Sequence, residues 1–252
     1  MTFQISERFL KLNLKGFSKA YIEQIDHKLY QEMSFDDRLA LLVDREEIEK
    51  QNRSMKLKLG NARFKNSATF DNLIVSQTRG LDKTTLQMLG TCEWVRKKKN
   101  IIVTAPSGCG KTFLATAISH NACLLGFTAR YYRISHLFNE LEIANDENRL
   151  RKSLIHLGKF NVMILDDFLL SSINEPQQKL LFELIDERND NTSTIFTSQN
   201  PISLWHSLMP NPAIADAILD RVTHSAIKIE LKGDSLRRKK ATELDLGHAI
   251  QA

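Results

Sequence analysis

Residues Ala105-Pro-Ser-Gly-Cys-Gly-Lys-Thr112 set two glycines, a lysine and a hydroxyl side chain at the spacing of a phosphate-binding loop. Gly108 and Gly110 let the backbone turn so that successive N–H groups point inward at an anion. Lys111 can reach the β- and γ-phosphates of a nucleoside triphosphate, and the Thr112 hydroxyl can ligate Mg²⁺. Pro106, Ser107 and Cys109 complete the loop. Phe113 opens an amphipathic run whose helix would add the positive end of its dipole. Ala105 stands where the pattern commonly has its first glycine, a replacement that the pattern admits.

A second group lies about 50 residues downstream. Val162-Met-Ile-Leu-Asp166-Asp167 reads as a buried strand that delivers two carboxylates to the C-terminal edge of a sheet, where open α/β folds bind ligands. Asp166 would hold Mg²⁺ through water. Asp167 would polarise an attacking water, which points to hydrolysis rather than nucleotide storage. A third strand, Ser193–Thr197, runs into Ser198-Gln199, where a polar side chain between loop and acids can sense the γ-phosphate. Gln199 is the first choice, with Ser198 and Asn200 as close competitors; otherwise this is a polar turn introduced by Asn200-Pro201. Finally, a helix over Ala213–Arg221 ends in Leu219-Asp220-Arg221. An arginine there is poorly placed for its own nucleotide and well placed to reach a neighbour's, unless it simply pairs with Asp216 or Asp220.

The elements that must position these groups follow from hydrophobic periodicity. Residues 1–66 read as a helical N-terminal domain. Leu10, Leu14, Phe17, Tyr21 and Ile25 fall on one apolar stripe. Ser34 and Asp37 form a capping-box pattern that starts a second helix, and Gly60 offers its stop. Residues 67–252 alternate β-rich runs with helical stretches. The runs are Ile101–Thr104, Thr128–Tyr132, Asn161–Leu165, Ser193–Thr197 and Ala226–Leu231, the signature of a parallel α/β sheet with a half-exposed final strand.

Composition excludes several classes. The 252 residues are 42% hydrophobic and 26% charged, which rules out wholesale disorder, collagen and coiled coil. Cys92, Cys109 and Cys123 lack disulfide or metal-ligand spacing and read as reduced thiols. The N-terminal residues do not form a signal peptide and no run is long enough to span a membrane, so a cytoplasmic protein is expected. The net charge of +5 is uninformative in itself, but it is locally concentrated. Lys50, Arg53, Lys56, Lys58, Arg63 and Lys65 contribute +6 without an acid. Arg96, Lys97, Lys98 and Lys99 follow, and Lys228–Lys240 holds a net +4. These clusters suit a duplex DNA backbone and are expected to flank the nucleotide site.

Together these residues resemble the IstB-type transposition helper ATPases of bacterial insertion sequences, which are related to DnaC-type helicase loaders in the AAA+ class. The resemblance runs through Ser34–Asp44, Phe70-Asp-Asn-Leu, Arg79-Gly-Leu-Asp82, Gly108–Ala115, Ile164–Asp167, Thr194–Gln199, Ile218–Arg221 and Gly233-Asp-Ser-Leu-Arg237. It implies a P-loop NTPase with a parallel five-stranded sheet and little or no lid. It also implies an ATP- and Mg²⁺-dependent homo-oligomer with intersubunit sites, which binds double-stranded DNA and stimulates the transposase encoded by the same element. Gln199 would be the γ-phosphate sensor, Arg221 the intersubunit finger, and Arg237, or its neighbour Arg238, a second sensor. Three other readings compete: a helicase loader, a nucleotide-stabilised DNA scaffold without turnover, and a small-molecule kinase.

Overall fold

The computed structural model describes residues 2–233. The chain divides into two compact units, with the boundary between Gly60 and Asn61.

The first unit is helical: α1 (Thr2–Lys11), α2 (Lys15–Asp26) and most of α3 (Phe35–Ala62), with a short 3₁₀ turn over Lys28–Glu32. The expected single stripe from Leu10 to Ile25 is instead divided between two helices. Asn13 adopts a left-handed conformation (φ 63°), which asparagine tolerates better than most residues. The chain reverses there, and Leu10 is left exposed. Phe9 takes the packing role, with ring centroids 5.4 Å from Phe17 and 5.7 Å from Tyr21. The Glu46 carboxylate is buried against the start of α2, accepting from the Gly16 and Phe17 N–H groups at 2.6 and 3.1 Å. An anion at that end complements the helix dipole.

The Ser34 hydroxyl caps α3 by accepting from the Asp37 N–H, and it donates to the Asp37 carboxylate at 2.6 Å. The reciprocal half of the expected box is therefore made to the serine side chain rather than to its backbone. The helix passes through Gly60, which was expected to end it, and stops before Arg63, in the left-handed region at φ 53°.

In the second unit, α4 (Lys83–Gly90) and α5 (Glu93–Arg96) precede β1 (Ile101–Thr104). The chain continues through α6 (Lys111–Leu124), β2 (Ala129–Arg133), α7 (Ile134–Asp146), α8 (Leu150–Gly158) and β3 (Val162–Asp166). It ends with α9 (Glu175–Arg188), β4 (Ser193–Ser198), α10 (Ile202–Trp205), α11 (Pro212–Thr223) and β5 (Ile227–Glu230). The strands form one five-stranded sheet in the order β2-β3-β4-β1-β5, and every pairing is parallel. All five expected strands are present, each within about a residue of its expected limits. β3 and β4 are buried throughout, as central strands covered on both faces must be. On the edge strand β5, Lys228 and Glu230 face out while Ile229 is buried. The expected lid content concerns residues 234–252, outside the described residues.

Phe168, directly after the acidic pair, is fully buried against Phe196 and Trp205, with centroids 4.8 and 4.9 Å apart. It anchors the end of β3. The Arg188 guanidinium, at the end of α9, is buried among the carbonyls of Leu157, Phe160 and Ser193 and the Thr194 hydroxyl. Burial pushes it down to about 9. All three cysteines are buried and free. Among the described residues, no helix is long and apolar enough to cross a membrane.

The Arg79-Gly-Leu-Asp82 segment acquires a physical reason. Gly80 has φ 77°, and a Cβ there would lie 2.0 Å from the Glu230 carbonyl oxygen of β5. Leu81 is buried, and Asp82 caps α4 by accepting from the Thr85 N–H at 2.6 Å. Gly80→Ala is expected to lose at least ~1–3 kcal/mol from backbone strain alone, with the overlap on β5 adding to it. Thermal unfolding checks this, and a melting temperature equal to the parent's would contradict the packing described.

Candidate nucleotide site

The phosphate loop leaves the C-terminal end of β1 and enters α6. Its left-handed glycines, Gly108 at φ 84° and Gly110 at φ 93°, turn the backbone as expected. The Lys111 ammonium is buried and donates to the Ala105 and Pro106 carbonyls at 2.8 and 3.0 Å, so it lies inside the curve of the loop. Ser107, Gly108, Cys109, Gly110, Lys111, Thr112 and Phe113 all line a cavity of about 620 Å³. Pro106 is not on that wall; it contributes its carbonyl to Lys111.

The acids stand on the same sheet edge, because β1 and β3 run parallel on either side of β4. Asp166 is 1% exposed, and both of its oxygens are engaged. Oδ1 accepts from the Thr112 hydroxyl at 2.8 Å and the Thr197 hydroxyl at 2.5 Å, while Oδ2 accepts from the Tyr131 hydroxyl at 2.7 Å. Burial, with the Asp166 carboxylate beside it, pushes the Tyr131 phenol far above its ordinary value, so it remains a donor. Asp167 lies in the left-handed region at φ 58°. Its carboxylate pairs with the Arg133 guanidinium at 3.0 Å, and its N–H donates to the Thr197 hydroxyl.

The structure separates the three candidates after β4. The Ser198 hydroxyl donates to the Phe168 carbonyl at 2.7 Å, and the Asn200 amide donates to the Leu169 carbonyl at 2.7 Å. Both hold the loop that follows Asp167. Gln199 alone of the three lines the cavity.

Arg221 is not at this site. Asn100, directly before β1, donates to the Arg221 carbonyl at 3.2 Å, so the residue sits at the end of β1 opposite the phosphate loop. Its guanidinium pairs with Asp186 of α9 at 3.1 Å, donates to the Ala217 carbonyl and covers the Phe182 ring. Neither Asp216 nor Asp220, the expected local partners, holds it. Asp216 pairs with His206.

The basic clusters also need correcting. Lys50, Arg53, Lys56 and Lys58 belong to the first compact unit, and Arg63 and Lys65 to the second. Lys50 pairs with Glu46. Lys65 lines the cavity. Arg96 is bonded to Glu93 at 2.8 Å and covers the Phe127 ring. Lys97, Lys98 and Lys99 are exposed, but they precede β1 and so lie at the sheet edge away from the cavity. That cluster does not flank the nucleotide. Arg237, Arg238 and most of the last cluster fall outside the described residues.

Two arginines at the site were not among the expected site residues, although Arg79 opens the Arg79-Gly-Leu-Asp82 segment. Arg133 and Arg79 line the cavity, and Arg79 also donates to the Cys109 carbonyl of the phosphate loop at 3.1 Å. Leu73, Ile74, Leu81, Leu170 and Leu231 add apolar surface to the lining. Lys65, Arg79, Lys111 and Arg133 against Asp166 and Asp167 leave the lining cationic. A cavity lined by cationic side chains, a phosphate loop and apolar side chains suits a polyphosphate attached to a flat base.

The comparisons agree with this geometry. The family model described as "IstB-like ATP binding protein" matches residues 8–244. The chain belongs to that IstB-like family. A Sinorhizobium fredii protein named as an insertion-sequence ATP-binding protein is 35% identical over 229 residues, covering 91% of this chain and 94% of its own. The ATP-binding protein of insertion sequence IS1162 from Pseudomonas fluorescens is 35% identical over 204 residues, covering 81% and 88%. Among solved structures, the IstB-like fold matches the DnaC helicase loader with a TM-score of 0.52 at 20% identity, covering 66% of this chain and 97% of that one. It also matches AMPPCP-bound DnaA from Aquifex aeolicus with a TM-score of 0.56 at 16% identity, covering 74% and 56%. At those identities the likeness concerns the fold, which is that of an AAA+ P-loop NTPase.

Proposed function

We propose that this IstB-like chain is an ATPase that assembles on duplex DNA and assists the transposase of its insertion sequence, with hydrolysis resetting the assembly. The observation that carries the reading is the acidic pair Asp166–Asp167 at the phosphate loop, with Asp166 bonded to Thr112 and both acids lining the same cationic cavity.

ATP would place its phosphates on the loop N–H groups and Lys111, and its base against apolar side chains of the lining. The donors present fit Mg²⁺. Thr112 and Asp166 offer only oxygen, and Mg²⁺ in such sites takes one or two carboxylates together with substrate phosphates. No cluster of three metal-binding side chains is needed, and the described residues contain none. The ion would neutralise charge on the β- and γ-phosphates. Asp167 accepts a proton from the attacking water as its oxygen approaches the γ-phosphorus, and ADP leaves. Gln199 orients that water or the γ-phosphate, and Arg221 from a neighbouring subunit stabilises the transferring group. Arg237 belongs to the same reading as a second sensor. Residues 1–66 serve as the helical arm towards DNA or the transposase, and 67–252 as the ATPase. Lys97, Lys98 and Lys99 contact the DNA backbone, with Lys50, Arg53, Lys56, Lys58 and Arg63 following it from the arm. The relatives' names place them in insertion sequences, which favours a transposition helper over a helicase loader.

The test is ATP hydrolysis with and without duplex DNA, run beside light scattering. ATP-dependent growth in mass and DNA-altered turnover are expected. Absence of both would overturn the reading. Asp167→Asn is expected to lower turnover by roughly 10²–10⁴-fold with nucleotide binding retained. Unchanged turnover and nucleotide release would leave the scaffold reading in its place.

A further inference from the structure

We infer that Tyr131 is a positioning residue for the Mg²⁺ site, fixing the Asp166 carboxylate so that the Thr112 hydroxyl oxygen faces the metal; this rests on the reading of the cavity as an Mg²⁺–ATP site.

Strand β2 carries no recognised phosphate-site motif, yet two of its side chains reach the acidic pair. Tyr131 and Arg133 are two residues apart and so project from the same face of the sheet. The Tyr131 hydroxyl donates to Asp166 at 2.7 Å, and Arg133 pairs with Asp167 at 3.0 Å. The two contacts differ in kind. The Arg133 side chain is half-exposed, whereas the Tyr131 hydroxyl meets a carboxylate that is almost wholly buried.

A buried carboxylate needs donors on both oxygens. Oδ1 has two, the hydroxyls of Thr112 and Thr197. Oδ2 has the Tyr131 hydroxyl. These contacts stop the carboxylate rotating about its Cβ–Cγ bond, and the consequence falls on Thr112. A hydroxyl that turns a lone pair towards a cation must give its proton to an acceptor elsewhere, and Oδ1 of Asp166 is that acceptor. Holding Oδ2 therefore aims the Thr112 oxygen two bonds away. Release of Oδ2 lets the carboxylate swing and leaves the Thr112 oxygen without a fixed direction. Partners of this kind, one step beyond the side chains that hold the metal, are worth about 10–100-fold in metal affinity.

The Tyr131 hydroxyl bonds the Asp166 carboxylate, and Tyr131 is not among the residues that line the cavity, whereas the loop and Lys111, the groups that grip phosphate without metal, are. Loss of that hydroxyl should therefore act on the metal-dependent part of nucleotide binding alone. The experiment is the dissociation constant of a fluorescent, non-hydrolysable ATP analogue, measured in excess Mg²⁺ and again in EDTA. For Tyr131→Phe, which keeps the ring, the EDTA value is expected to match the parent within about twofold, and the Mg²⁺ value is expected to weaken about tenfold or more. Tyr131→His, which retains a ring N–H donor, is expected to fall between the two.

A merely structural role would weaken both values together, and that result overturns the proposal, as does an Mg²⁺ value equal to the parent's. Dissociation constants are read from the folded fraction, so a reduced yield does not alter the comparison. Should Tyr131→Phe not fold at all, Tyr131→His decides. An Mg²⁺-specific loss of about threefold supports the proposal, and an equal loss in EDTA overturns it. If the parent itself binds the analogue equally with and without Mg²⁺, the metal reading of the whole site falls, and the proposal with it. That failure is visible in the parent and cannot be mistaken for a failure of Tyr131.

Discussion

Lys111→Ala is expected to raise the ATP dissociation constant at least about 100-fold, and with it to abolish ATP-dependent assembly. The ammonium is buried within the loop and donates to the Ala105 and Pro106 carbonyls at 2.8 and 3.0 Å. Its removal leaves those two carbonyl oxygens facing an incoming polyanion with no cation between them. A charge-assisted hydrogen bond contributes ~1.5–3 kcal/mol, and each ~1.4 kcal/mol is a factor of ten. One bond to each of two phosphates therefore accounts for two orders of magnitude or more. The measurement is a fluorescence titration of nucleotide binding, run with light scattering in ATP. An affinity within about threefold of the parent would show that the cavity does not hold a polyphosphate at this loop.

Arg221→Ala is expected to do the reverse: to spare nucleotide affinity and to lower turnover of the assembled protein by about 10³–10⁵-fold. The position of Arg221 beside Asn100, beyond the far end of β1, keeps it from its own phosphate loop. In the single chain its guanidinium is held by Asp186 and the Ala217 carbonyl over Phe182. That Asp186 contact is partly exposed, with the Asp186 side chain mostly in solvent, so it contributes about 0–1 kcal/mol and can be exchanged for a neighbour's phosphate at modest cost. Mixing the two variants gives the sharper result. The Arg221→Ala chain has an intact nucleotide loop and the Lys111→Ala chain an intact arginine, so equimolar mixtures should recover turnover that neither shows alone. Equal loss of nucleotide binding in both variants would show that Arg221 serves its own site.

The parts of the site that follow from local chemistry were legible in the sequence. The loop glycines, Lys111, Thr112 and the acids of β3 sit on one strand–turn–helix unit and one strand end, and their spacing alone places them. The five strands were legible for the same reason, since short β-rich runs separated by helical stretches leave few arrangements. What spacing could not reach was anything decided across strands. Tyr131 and Arg133 became visible only when the register set β2 beside β3, although their alternation on a strand bound for the same sheet edge was a usable signal. The choice among Ser198, Gln199 and Asn200 turned on the loop from Phe168 to Leu170, whose carbonyls take up two of the three. Lys65 and Lys97–Lys99 were read as one kind of feature because charge was counted along the chain. The fold sends the first into the cavity and the others to the opposite edge. The break at Asn13 was missed because periodicity carries no signature of a single left-handed residue.

The backbone at Asp167 restricts what the chain can carry at its most reactive position. At φ 58°, aspartate and asparagine are the side chains that the left-handed region tolerates with least penalty after glycine. Glutamate would extend the carboxylate by one methylene only by forcing a disfavoured backbone, with Phe168 packed too tightly behind it to yield. A protein engineer seeking longer reach at this point would meet a backbone penalty of about 1–2 kcal/mol. One seeking to remove charge alone would find the position open, because asparagine matches both the outline and the conformation. Chain geometry thus favours a short side chain at residue 167, and for the backbone an exchange of acid for acid there is the less conservative of the two.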